Sequence, residues 1–313
     1  MEEQQAPLSV EVQEQLPPPQ GTFLEKHGVS PILFGILVLV FVFFSYQIIG
    51  GVIAYMLFGT KPTADNVMGF RIVTGFSQFI FLLIPTLLLT RLATFSPLDY
   101  LRIRKPDVRA LLLPLVGIFS LQQMLQIYLV FQEKLPVPQE LQSIFQEYKQ
   151  LIEEAYSVLV GSHSIPEFLL VIVVIAIIPA IAEEVLFRGL VQRSFEKGLG
   201  SYKGLLLTGF IFGAYHLNPF SLIPLIVLGV YLGFLAMRAN SLWVSIAAHF
   251  YNNASACIAI FLQQDDDAII TGNPNEMSIG MLLGTFWLFG VIFLLSTYYF
   301  VHITKPALEI HNE

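Results

Sequence analysis

Residues 168–187 read Phe-Leu-Leu-Val-Ile-Val-Val-Ile-Ala-Ile-Ile-Pro-Ala-Ile-Ala-Glu-Glu-Val-Leu-Phe. Up to Ala182 the run is apolar, interrupted only by Pro179. A helix that crosses a hydrocarbon core needs about 20 such residues, so the stretch reads as a membrane span. Two carboxylates, Glu183 and Glu184, then stand where they are expensive. Insertion scales put Asp, Lys or Arg near +3 kcal/mol at a helix centre.

The rest of the chain agrees with a lipid solvent. Of 313 residues 55% are hydrophobic and 12% charged, against about 25% charged in an average soluble domain. Mean hydropathy is +0.69. The single cysteine, Cys257, excludes an internal disulfide, a thiolate zinc cluster and a CxxC redox pair. A net charge of -7 with scattered Lys and Arg argues against nucleic acid as a partner.

Eight apolar stretches recur: Ile32–Phe58, Ile72–Thr90, Ala110–Val130, Phe168–Phe187, Gly204–Leu217, Phe220–Met237, Ser241–Leu262 and Ile279–His302. The expected fold is an all-α, polytopic bundle of about eight spans. The fifth and sixth are short and joined by the turn signal Asn218-Pro219, which suggests a tilted or shallow helical hairpin. Residues 1–30 are rich in Gln, Glu and Pro, lack a basic start before an apolar core, and read as a disordered cytoplasmic tail rather than a signal peptide. Residues 31–164 hold the N-terminal spans and a loop helix, 165–262 the segment with the polar motifs, and 263–313 the last span and a short tail.

With both termini inside, 12 of the 16 Lys and Arg fall on the inner side. The positive-inside rule then places both ends in the cytoplasm, with the acidic run Asp265-Asp266-Asp267 outside. Short loops and the lack of a targeting signal suggest a prokaryotic cell membrane. Between spans three and four, Leu141, Ile144, Phe145, Tyr148, Leu151, Ile152, Ala155 and Leu159 recur at helical spacing, with the acidic residues off that stripe. This predicts an amphipathic helix on the membrane surface or on the bundle.

Polar residues within the spans form three groups: Glu183, Glu184 and Arg188; His216; and His249, Asn252 and Asn253. Adjacent Glu183 and Glu184 point about 100° apart on a helix and serve different faces. Glu184 lies four residues before Arg188, the favoured orientation for a helical ion pair. That frees Glu183 to face the interior, as a general base or acid would. His249 and Asn253 share one face. An imidazole there can shuttle a proton or bind a metal, and an amide can donate to an oxyanion. Counting from the inner ends at about 1.5 Å per residue puts Glu183, His249 and His216 on the order of 8, 12 and 18 Å deep. The expectation is one pocket opening to the cytoplasm. Gln78, Gln122, Gln123 and Gln126 read as helix–helix contacts. Cys257 reads as a packing residue.

Glu183-Glu184-x-x-x-Arg188, Phe212-x-x-x-His216 and His249-x-x-x-Asn253, with Phe187-Arg188-Gly189-Leu190 around the first, resemble the three ordered motifs of the CPBP family. That is the CAAX protease and bacteriocin-processing group, which includes the type II CAAX prenyl endopeptidases. The resemblance covers about residues 165–260. It implies an eight-helix intramembrane endopeptidase in which Glu183 with His216 activates a water. His249 and Asn253 would stabilise the oxyanion, and Glu184 with Arg188 would hold the fourth span. It further implies a peptide or protein substrate at the membrane, prenylated for part of the family. The family has been described both as metalloproteases and as metal-independent glutamate proteases. Glu183, His216 and His249 could supply a His₂Glu zinc shell. The spacing differs from His-Glu-x-x-His, however, and the expectation is catalysis with no cofactor. Two other functions fit the same residues: a non-catalytic scaffold or immunity protein, and a transporter with a Glu/His proton relay. Transporters often carry internal repeats, and none is visible here.

Overall fold

The computed structural model describes residues 21–136, 138–263 and 277–304, which are helical with no strand. The main helices are α1 (Pro31–Phe58), α2 (Val67–Ala93), α3 (Val108–Gln132), α4 (Gln139–Val160), α5 (Ile165–Leu199), α6 (Ser201–Tyr215), α7 (Pro219–Ala239), α8 (Leu242–Gln263) and α9 (Ile279–Ile303). All except α4 and α6 are long and apolar enough to cross a membrane, which makes seven. The chain is a multi-pass integral membrane protein.

The fifth expected stretch is not a full span, and it forms a short hairpin with the sixth. The apolar run Gly204–Leu217 belongs to α6, a helix of 15 residues. At 1.5 Å per residue it extends about 22 Å, short of a hydrocarbon core of about 30 Å. Instead α6 pairs closely with α7. A Cβ on Gly213 would lie 2.8 Å from the Ile226 backbone nitrogen, and one on Gly229 2.9 Å from the Gly209 carbonyl oxygen. Gly209-x-x-x-Gly213 and Gly229-x-x-x-Gly233 thus let the two backbones approach, the small-residue packing available to helices in lipid.

Among the interior prolines of the spans are Pro85 in α2 and Pro179 in α5. Each follows a π-helical turn, Gln78–Leu83 and Ile172–Ile177 respectively. Proline lacks an N–H and crowds the carbonyl four residues earlier. A widened turn just before it relieves that crowding. Two further π-helical turns are Phe44–Gly50 in α1 and Val185–Val191, which follows Glu184 directly.

Helix ends pair up at two poles. At one, Arg102 bonds Glu196 near the end of α5, and the Leu242 N–H that starts α8 donates to the Arg102 carbonyl. Arg238 of α7 donates to the Val301 carbonyl of α9 at the same pole. Here too Phe23–Lys26 forms a single turn capped by Thr22 and Glu25, with Leu24 buried, where the N-terminal tail was expected to continue. Residues 1–20 of that tail, Asp265-Asp266-Asp267 and Lys305 lie outside the described residues.

At the opposite pole α4 is tied to the bundle by one buried cation. Arg71 of α2 is 1% exposed. It donates to the carbonyls of Leu159 (2.9 Å), Val158 (3.1 Å) and Gly161, and pairs with Glu167 at 2.6 Å. A cation among the last carbonyls of a helix satisfies acceptors that no helical N–H reaches. Further along α4 the ties are exposed: Tyr148 Oη–H donates to the Leu217 carbonyl at 3.1 Å, and Lys149 pairs with Glu133 at 2.6 Å. Exposed pairs contribute about 0–1 kcal/mol. Arg71→Met is therefore expected to loosen α4 before the bundle. Limited proteolysis should cut 133–164 first, with the remaining helices protected. Unchanged resistance there would assign the anchoring to other contacts.

Candidate active site

The two glutamates of α5 go to different places. Glu184 is fully buried. Its Oε1 accepts from Arg188 Nη1 at 2.6 Å and from His249 Nδ1 at 2.9 Å. Arg188, also fully buried, donates through Nη2 to the Gly229 carbonyl at 3.0 Å and lies 4.2 Å from the Phe212 ring centre. A guanidinium on an aromatic face is a favourable arrangement. Helices α5, α7 and α8 are thus locked through one ion pair and its neighbours.

Glu183, about 100° around the helix, faces a cavity of about 690 Å³ together with His216, His249 and Asn253. Its Oε2 lies 3.9 Å from His216 Nε2, and the side chains are 16% and 31% exposed. That gap is too long for a direct hydrogen bond. His216 Nδ1–H donates to the Phe212 carbonyl at 2.7 Å. A carbonyl only accepts, so the proton of a neutral ring sits on Nδ1, and Nε2 turns its lone pair toward Glu183. The backbone after His216 helps to aim it. Leu217 has φ +51°, a left-handed conformation that costs a bulky residue, and its carbonyl receives Tyr148 of α4.

His249, 3% exposed, lines the cavity while its Nδ1 serves Glu184. Asn253 Nδ2–H donates to the Ile175 carbonyl at 3.1 Å. Pro179 has no N–H for that carbonyl, so the amide supplies a donor that the helix lacks. Asn253 Oδ1 accepts from Asn252 Nδ2 at 3.0 Å, and Asn252 is held by Gln122.

The six residues singled out in the sequence therefore separate. Glu183, His216, His249 and Asn253 share the cavity, whereas Glu184 and Arg188 lie buried behind it. Sequence spacing did not reveal that His249 bonds Glu184, that Asn252 also lines the cavity, or that Phe212 packs against both histidines with ring centres 4.7 and 6.0 Å away. Tyr215 was also passed over. Its Oη and Glu183 Oε2 are buried polar atoms without a hydrogen-bond partner.

One alternative finds no matching donor group, and one expectation differs from the structure. No group of three or more His, Cys, Asp or Glu side chains that could hold a metal ion occurs among the described residues. Glu183, His216 and His249 do not make up such a group, so the alternative zinc shell gains no support from the described residues. The cavity also opens at the other pole from the one expected. Arg188 is not the end of its span, since α5 continues to Leu199. Glu183 is near mid-helix, and the rim is made by Tyr148, Leu217, Asn218 and Ser221, beside α4 and the α6–α7 turn.

A polytopic helical membrane protein with a cavity faced by Glu, His and Asn from three helices is the class these observations define. Residues 165–255 match the model of the family described as Type II CAAX prenyl endopeptidase Rce1-like. That segment contains all six residues and is similar to this protease-associated family, a likeness of the segment and not of the whole chain. Searches of curated proteins and of solved structures find no match.

Proposed function

We propose that the protein is an intramembrane endopeptidase acting on membrane-associated proteins or peptides, prenylated ones among them. The observation that carries this reading is the Glu183–His216 pair at 3.9 Å on a shared cavity, within the segment that resembles the family. A water admitted from the cavity between the two groups would bridge them. Glu183 takes a proton from it, and the resulting hydroxide oxygen bonds the scissile carbonyl carbon. His216 Nε2 accepts from the water's second hydrogen and orients it. His249, its Nδ1–H bonded to Glu184, donates from Nε2–H to the oxyanion when the ring is protonated. The second hydrogen of Asn253 Nδ2 adds to it. Glu183 then returns its proton to the leaving nitrogen as the C–N bond breaks. Each such proton transfer typically contributes 10²–10⁴-fold.

By the positive-inside rule, the basic residues near the first pole support an orientation with that pole and both termini in the cytoplasm. The cavity then opens on the far side, with α4 lying at that membrane surface. A second reading has one observation in its favour. The Arg188–Glu184–His249 network and the Asn253–Ile175 bond serve helix packing as they stand, which a non-catalytic scaffold would also need.

The test is cleavage of a peptide library, including prenylated C-terminal peptides, by the purified protein with and without a strong chelator. Glu183→Ala serves as the paired variant. Turnover kept with chelator and lost in the variant is the expected result. Loss with chelator would restore a metal held at this site. No turnover by folded wild type would favour the scaffold.

A further inference from the structure

Behind Glu183 stands a second set of polar side chains that the mechanism above does not use. Tyr46, Gln78 and Tyr215 lie outside the cavity lining. Tyr215 ends α6, and its ring sits edge-on to Phe43 of α1 and Phe187 of α5, with ring centres 5.4 and 5.3 Å away. Gln47 of α1 donates to the Tyr215 carbonyl at 3.4 Å. None of these contacts needs the hydroxyl. Yet Tyr215 Oη is buried without a hydrogen-bond partner, and so is Glu183 Oε2. Glu183 is the carboxylate whose charge acts on the Tyr215 hydroxyl. It acts also on Tyr46 of α1, whose Oη accepts from Gln78 Nε2 of α2 at 3.1 Å. An unpaired donor and an unpaired acceptor thus share one buried region, and leaving both unpaired there is costly.

We propose, resting on the peptidase reading, that Tyr215 is a positioning residue for Glu183. Its Oη–H donates to the Glu183 carboxylate, directly or through one bound water, and fixes the oxygen that faces His216. A buried phenol ordinarily finds such a partner. The ring is clamped between two helices, so the hydroxyl offers a fixed point to a carboxylate that would otherwise turn about its terminal bond. A carboxylate oxygen has a second lone pair, which stays available to the water between Glu183 and His216. The choice of a phenol is physical. A cation at that place would hold Glu183 as Arg188 holds Glu184, in an ion pair that opposes protonation. A neutral donor orients the carboxylate and leaves it able to take a proton. Tyr215 itself touches neither the peptide nor the attacking water.

The experiment uses the full chain in nanodiscs. Infrared difference spectra between wild type and Glu183→Gln isolate the Glu183 carboxyl band. Tyr215→Phe keeps the ring between Phe43 and Phe187 and removes the hydroxyl alone. It is expected to shift that band without lowering the unfolding temperature. 3-Fluorotyrosine at position 215, a stronger donor of nearly the same shape, should shift it the other way. In peptide cleavage, Tyr215→Phe should lower kcat about 10–100-fold, the worth of one hydrogen bond to a charged group, with KM changed no more than about twofold. Added to Glu183→Gln it should cost no more than about threefold further, because its effect passes through Glu183. An unmoved band overturns the inference whatever the turnover. A shifted band with unchanged kcat, or an equal loss in both backgrounds, overturns the positioning role. A shifted band in a wild type that cuts no peptide upholds the Tyr215–Glu183 bond and counts against the peptidase reading alone.

Discussion

Glu184→Ala is expected to cost the protein most of its stability. Arg188 would keep only the Gly229 carbonyl and the Phe212 face, and His249 Nδ1 would lose its acceptor. Removing one partner of a buried pair leaves an unpaired charge, a loss of about 3–5 kcal/mol. That is comparable with the whole stability of many domains. Glu184→Gln retains the shape and one acceptor oxygen, and roughly half that loss is expected from it. Thermal unfolding in a mild detergent should order the three proteins as wild type, then Gln, then Ala. Arg188→Met removes the charge together with its partner's attraction. Glu184 is then the stranded ion, and Met is expected to be nearly as damaging as Ala at 184. Replacing both by apolar residues should recover much of the stability, because no buried ion remains. If Glu184→Ala unfolds like wild type, the network is not what holds α5 against α7 and α8.

Particular residues show how much of this was legible in the chain. The Glu184–Arg188 pair could be read because both partners lie on one helix, four residues apart, where geometry is fixed before any tertiary contact forms. The same spacing freed Glu183 for the cavity. The partner of His249 could not be read. It lies 65 residues from Glu184, and the choice between adjacent glutamates depends on how α8 is rotated against α5. Hydropathy counted Gly204–Leu217 as a span because apolar residues look alike to lipid and to a neighbouring helix. What shortens α6 is the cap at His216 and the left-handed Leu217, and what keeps it inside is glycine packing on α7. The position of the cavity mouth was missed for a related reason. The charges around Arg188 suggested a helix end, but Arg188 is buried within the bundle and α5 runs on past it. Asn253 bonding the Ile175 carbonyl follows from Pro179 only once the two helices are known to touch.

The sharpest consequence for chemistry is a double-mutant cycle across the 3.9 Å gap between Glu183 and His216. Glu183→Gln keeps the volume and polarity of the side chain and removes the proposed base. His216→Ala removes the second group on the same water. Each is expected to lower kcat by about 10²–10⁴-fold, the usual worth of a positioned acid or base. Neither should lower the unfolding temperature as Glu184→Ala does, because both side chains are partly exposed on the cavity and bear no part of the buried ion pair. If the two act on one water, the second substitution has little left to remove. The double variant should fall no more than a few-fold below the worse single one, as for groups that act as a unit. Multiplied losses would mean separate steps, with His216 serving the leaving group or the oxyanion in place of the attacking water. Activity retained in Glu183→Gln would move the base elsewhere. The neighbouring unpartnered Tyr215 hydroxyl would be the first group to examine.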